Sequence, residues 1–196
     1  VFHEPVNRID LAPIVIFLHG GGRTPQTIND YVDAISFADD MGYLAVLPVG
    51  GNGLSWSSVV VTTAKISEDS TLISAIIDQL VTENQADPAR VYVVGYSAGS
   101  YMSYQLACEI PEKINGLIAI AGTLRGDLQA CNAAFPVAIH HIHGTADSYD
   151  GGPDEANSVQ DTIDLWAGTN LCDGTTTDSA EFSLTLDSNL ATTTSY

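Results

Sequence analysis

Ser97 lies in Gly95-Tyr96-Ser97-Ala98-Gly99, directly after the β-branched run Val91 to Val94 and just before a helix-forming segment, Ser100 to Glu109. A serine hydroxyl is a weak nucleophile at neutral pH. Chemistry at such a residue needs a turn that exposes it, a base that takes its proton, and donors for the charge that develops on the attacked group. Strand, Gly-Xaa-Ser-Xaa-Gly and helix, in that order, supply the turn, a nucleophile elbow. Gly95 and Gly99 remove the Cβ atoms where strand and helix must pass closely. The N–H of Ala98, at the helix start, then faces the oxygen of a bound carbonyl. The five-residue pattern alone is common among turns, and the flanking strand and helix give it weight.

A second motif, His19-Gly20-Gly21-Gly22, ends the apolar run Pro13 to Leu18. Consecutive glycines let the backbone approach a ligand and offer N–H groups to an oxyanion. Ala98 and Gly21 are the expected oxyanion donors, with Gly22 or Arg23 in place of Gly21 if the loop is wound differently. A third motif, His143-Gly144-Thr145-Ala146-Asp147, follows the strand pattern Val137 to Ile142. The carboxyl ends of strands are where open α/β sheets gather functional groups, so Asp147 is the expected acid, with Asp150 as its alternative.

The base is the gap. In this arrangement the chain order is Ser, Asp, His, yet all five histidines precede Asp147. His140 and His141 fall within a strand, His143 opens the turn that carries the acid, His19 belongs to the glycine turn, and His3 is remote in sequence. The expectation is a fragment cut between acid and base, with Cys172 left over and a final strand missing. Trp56 has two open roles, stacking on an aromatic or polymeric substrate or simple packing.

The elements that would position these residues alternate in type. Tyr43 to Leu47, Val91 to Val94, Gly116 to Ala121 and Val137 to Ile142 read as strands beside Pro13 to Leu18. Gln26 to Asp40, Ser67 to Glu83 and Glu155 to Ala167 read as helices, the second carrying a stripe at Leu72, Ile73, Ile76, Ile77 and Leu80. Alternation of this kind predicts a mostly parallel sheet with helices on both faces, in one domain over residues 1–196. Val1 to Val6 reads as an edge strand. Phe182 to Leu186 alternates as a half-buried strand, with a disordered linker as the competing reading.

Composition sets the outer limits. Hydrophobic residues make up 45% and charged residues 15%, as in an ordered globular chain. The net charge of −18 repels nucleic acid and anionic lipid, excluding both as expected partners and favouring neutral substrates. No apolar run approaches the roughly 20 residues that cross a bilayer. The three cysteines show neither CxxC nor zinc-ligand spacing, so no metal or cofactor is expected. Cys108 closes the helix after the elbow and Cys131 precedes the next strand, so the two could meet. A bridge there implies an oxidising compartment, with three free thiols as the alternative.

With these motifs in place, the chain resembles the secreted α/β-hydrolase esterases that include polyhydroxybutyrate depolymerases, feruloyl esterases and acetylxylan esterases. The similarity also covers Asp87-Pro88-Ala89-Arg90-Val91-Tyr92, Leu106-Ala107-Cys108-Glu109, Ala121-Gly122-Thr123-Leu124, and Trp166 followed by Asn170-Leu171-Cys172-Asp173. The resemblance implies an α/β-hydrolase fold, attack of Ser97 on an ester carbonyl and orientation of the base by Asp147. It also implies a Cys108–Cys131 disulfide, with the catalytic His and a partner for Cys172 beyond Tyr196. The function expected is a secreted serine carboxylic-ester hydrolase working through an acyl-enzyme on a plant cell-wall ester. The alternatives are a polyester depolymerase and a noncatalytic binding module that has lost its base.

Overall fold

The computed structural model describes residues 1–8, 10–51, 53–58, 66–84, 86–131, 135–147 and 157–178, with short strands thereafter. The fold is built on a sheet ordered β1-β3-β2-β4-β5-β6. Its strands are β1 Phe2–His3, β2 Ile14–Leu18, β3 Leu44–Val46, β4 Val91–Tyr96, β5 Gly116–Ile120 and β6 Ala138–Ile142. β1 runs antiparallel to β3 and every other pairing in this sheet is parallel. The mostly parallel sheet is the α/β-hydrolase arrangement expected, and its edge strand β1 runs antiparallel. The edge strand is shorter than Val1 to Val6, because the chain leaves β3 at Glu4-Pro5 and turns.

Alternation along the strands feeds two cores. Ile14, Ile16 and Leu18 of β2, Leu44 and Val46 of β3, and Val91 and Val93 of β4 point to one face. They pack there with α3 (Glu68–Glu83), α4 (Ala98–Glu109) and α5 (Val159–Thr169), through Ile73, Ile77, Met102, Leu106 and Trp166. Phe17, Ala45 and Val94 point the other way, onto α1 (Pro25–Val32) and α2 (Ala34–Met41) through Ile28, Ala34 and Ala38. Burial of both faces is why β2 and most of β4 carry continuous apolar runs.

One expected helix is two. Gln26 to Asp40 is interrupted at Asp33, whose backbone is left-handed at φ 50°, ψ 43°. Asp33 N–H closes α1 on the Asn29 carbonyl at 2.7 Å, and the Asn29 side chain takes Ile35 N–H at 3.1 Å. A short polar side chain that serves an adjacent backbone group makes such a break tolerable. The last helix likewise starts later than Glu155, at Val159, with Ser158 as its cap. Ser67 caps α3 and also donates to Glu109 Oε2 at 2.9 Å, tying the start of α3 to the end of α4.

Cys108 and Cys131 form a disulfide, as expected, and fasten the end of α4 to the turn that precedes β6. It closes a separation of 23 residues, for which the loop-entropy relation gives about 3 kcal/mol. Cys172 is a free thiol. Toward the end, β7 Thr177–Asp178 pairs with β10 Thr194–Ser195, and β8 Phe182–Ser183 with β9 Leu190–Ala191. The rest of the expected strand, Leu184 to Leu186, lies outside the described residues, as do Glu155 and Asp150. Among the described residues no helix is long and apolar enough to cross a membrane.

Candidate active site

β4 delivers Ser97 to the carboxyl edge of the sheet. Ser97 N–H still bonds the β5 carbonyl of Ile120 at 2.8 Å, and the next residue already begins α4. The change of direction is concentrated on Ser97 itself, at φ 53°, ψ −116°. A side chain held there costs of order 1–3 kcal/mol and persists only when its surroundings enforce it. The surroundings are tight. A Cβ on Gly95 would lie 2.2 Å from the Gly99 carbonyl oxygen, and one on Gly99 would lie 2.0 Å from the Leu18 oxygen. Ser100 Oγ donates to Gly122 O at 3.0 Å, bracing the other side of the turn against β5.

Gly99→Ala therefore forces backbone apart between α4 and the end of β2. We expect a loss of about 3 kcal/mol or more, near the top of the overpacking range. Thermal denaturation should show this as a fall in Tm of roughly 10 °C. Gly168 in α5 has open space around its Cβ position and ordinary helical backbone. Gly168→Ala should instead raise stability by about 0.5–1 kcal/mol, so the pair separates steric closeness from glycine content.

The glycine turn lies against the elbow. Cβ atoms placed on Gly20 and Gly21 would sit 3.5 Å from Ser97 Cβ and 3.6 Å from Ala98 Cβ. The alternatives to Gly21 as oxyanion donor are already engaged. Gly22 N–H donates to Leu54 O at 2.7 Å and Arg23 N–H to Gly20 O at 3.1 Å. The amides of Gly21 and Ala98 make no hydrogen bond among the described residues. Two unengaged N–H groups beside a serine hydroxyl are what an acyl-transfer site offers to a developing oxyanion.

His19 is fully buried and its Nδ1 is 2.9 Å from Gly20 O, so it shapes the turn from inside. Trp56 is 5% exposed, its indole N–H donates to His19 O at 2.7 Å, and its ring lies 4.8 Å from the imidazole. Of the two roles open to Trp56, its burial supports packing beneath the glycine turn.

Asp147 stands where the sequence places it, in the turn after β6, with its N–H on Gly144 O at 3.0 Å. Register sets Tyr96, Ile120 and Ile142 side by side across β4, β5 and β6. Ser97 and His143, each one residue further on, are then about 10 Å apart across two strand spacings.

Among the described residues none of the five histidines makes a hydrogen bond to Ser97. His3 pairs with Asp39 at 2.9 Å on the edge strand, and His140 is exposed on β6. His141 Nδ1 is 2.7 Å from the hydroxyl of Tyr104, whose burial pushes its phenol above the usual tyrosine range and keeps it protonated. His143 stacks flat on His141, 5.3 Å between centroids and 2° between planes, with Nε2 3.6 Å from Asp147 Oδ2. A ladder of Tyr104, His141 and His143 thus backs Asp147. Tyr104 carries no motif of its own; the only sign of it in the sequence is its place two helical turns after Ser97.

Solved structures with this architecture include the acetyl xylan esterase from Aspergillus awamori, at a TM-score of 0.70 and 16% identity over 90% of this chain and 77% of that one. The Bacillus cereus carboxylesterase gives 0.63 and 17%, over 87% and 79%. A bifunctional acetylxylan esterase/xylanase of Neocallimastix patriciarum is 32% identical over 145 residues, which is 74% of this chain and 21% of that protein. Feruloyl esterase B of Neurospora crassa is 28% identical over 127 residues, 63% of this chain and 43% of that protein. The chain thus spans less than half the length of these curated relatives. The family described as phospholipase/carboxylesterase matches residues 7–151, most of the sheet and both glycine-containing motifs, and the chain belongs to that family.

Proposed function

We propose that residues 1–196 form the α/β-hydrolase catalytic domain of a secreted serine carboxylic-ester hydrolase. The observation that carries this reading is the strained backbone of Ser97 beside the unengaged amides of Gly21 and Ala98. Ser97 Oγ attacks the ester carbonyl carbon, and the oxygen, now carrying the charge, accepts from those two amides. The alcohol leaves with the proton that the base took from Ser97, and an acyl-enzyme remains. Water, deprotonated by the same base, attacks the acyl carbon; the C–Oγ bond breaks, the carboxylic acid leaves and the base returns its proton to Ser97 Oγ.

Asp147 orients the base, and the base imidazole comes from outside residues 1–196. Support for the second point lies in the histidine contacts above and in the greater length of the relatives. The disulfide supports an oxidising, extracellular setting.

The named relatives favour acetyl or feruloyl esters of plant cell-wall polymers as substrates. The net charge of −18 suits such neutral esters. No observation favours polyester depolymerisation or a noncatalytic module. Turnover of p-nitrophenyl acetate and of methyl ferulate by the full-length protein tests the proposal. Hydrolysis of either is the expected result, and turnover of neither overturns it.

A further inference from the structure

The loop between β3 and α3 holds the glycine turn by two bonds that flank Gly20-Gly21. Its Leu54 carbonyl takes Gly22 N–H at 2.7 Å, and its Trp56 indole holds the His19 carbonyl at 2.7 Å. These two contacts fix the peptides on both sides of Gly20-Gly21. The loop itself folds back sharply, because a Cβ on Gly50 would lie 2.0 Å from Ser55 O.

One side chain ties this loop down. Asp69, in the first turn of α3, is 1% exposed. Its Oδ1 accepts Gly51 N–H at 2.7 Å and its Oδ2 accepts Ser57 N–H at 2.5 Å. The two amides bracket the segment that carries Leu54 and Trp56. A carboxylate is the group this geometry needs, because both of its oxygens accept and neither donates. An amide in its place would turn an N–H₂ toward one of two backbone donors.

We propose that Asp69 is a positioning residue for the oxyanion turn. Through Gly51 and Ser57 it sets the loop, and through Leu54 and Trp56 the loop aims Gly21 N–H at the reacting oxygen. The inference rests on the esterase reading above. Asp69 touches no reacting atom, so its removal acts on the transition state through a displaced donor. Such a displacement leaves ground-state binding largely intact.

The test is made in the full-length protein with p-nitrophenyl acetate. Asp69→Asn is expected to lower kcat about 10- to 100-fold, the range for a misplaced catalytic group, with KM within about twofold. Affinity for an alkylboronic acid, whose serine adduct places an oxygen among the same donors, should fall in parallel. Trp56→Phe deletes the indole donor while keeping an aromatic ring, though a smaller one, at this buried position, so it carries the test if Asp69→Asn does not fold. Its kcat should also fall, and an unchanged kcat in a folded variant overturns the proposal.

Ile77→Val, on the same helix but packed in the core, should lower Tm while kcat holds. If kcat falls equally in Ile77→Val, the effect is loss of stability and the proposal fails. Absence of any turnover in the wild type defeats the esterase reading itself. Turnover that Ser97→Ala abolishes but Asp69→Asn leaves intact defeats the positioning role alone.

Discussion

Ser97→Ala in the full-length protein is expected to lower kcat for p-nitrophenyl acetate about 10⁶-fold, with the fold intact. Loss of the hydroxyl removes the acyl-enzyme route entirely, and the oxyanion donors that remain accelerate only attack by water. The backbone at residue 97 adds a second readout. Alanine inherits the positive φ of 53°, whereas glycine adopts it freely. Ser97→Gly should therefore be as inactive as Ser97→Ala and more stable by about 1 kcal/mol, the low end of the strain range. A comparison of melting curves with kcat for the two variants reads strain and chemistry separately. Equal stability of the two would show that residue 97 is not held against its own preference.

The next largest effect belongs to Asp147. Asp147→Asn keeps the size of the side chain but offers an N–H where the base imidazole needs an acceptor. The imidazole is then held in the wrong tautomer, at a cost of about 10⁴-fold in kcat. His143→Gln should cost far less, about tenfold, because His143 lies 3.6 Å from Asp147 but makes no hydrogen bond to Ser97 among the described residues. Steady-state kinetics on the two variants distinguishes orientation from base catalysis. A loss at His143 as large as that at Ser97 would make His143 the base and remove the need for one outside residues 1–196.

The parts of the fold visible in the sequence were those with a local cause. Ile14 to Leu18 and, apart from the exposed Tyr92, Val91 to Val94 are apolar because both of their faces are covered. Gly95 and Gly99 mark the elbow because the strand–helix crossing has no room for a Cβ at either position. The Cys108–Cys131 pairing followed from resemblance, and the structure brings the two sulfurs together.

What the sequence hid was set by contacts distant along the chain. The break at Asp33 depends on Asn29 reaching forward to Ile35, in a stretch whose apolar spacing reads as a single helix. Whether Gly21, rather than Gly22 or Arg23, has the free amide depends on how the loop is wound, and that is set by the Leu54 and Gly20 carbonyls, which take the other two amides. Asp69 reads as an ordinary acidic residue at a helix start, a placement that helix electrostatics alone explains. Its partners at Gly51 and Ser57 lie 18 and 12 residues earlier, in a loop with no periodic pattern. The link from Tyr104 to His141 spans 37 residues in the same way.

The most direct measurement is covalent trapping. The full-length protein, treated with a fluorophosphonate and digested, should yield one modified peptide by mass spectrometry, with the adduct on Ser97 and esterase activity lost in proportion. An active protein whose adduct forms on any other residue, or one that keeps its activity with Ser97 fully modified, would contradict the account.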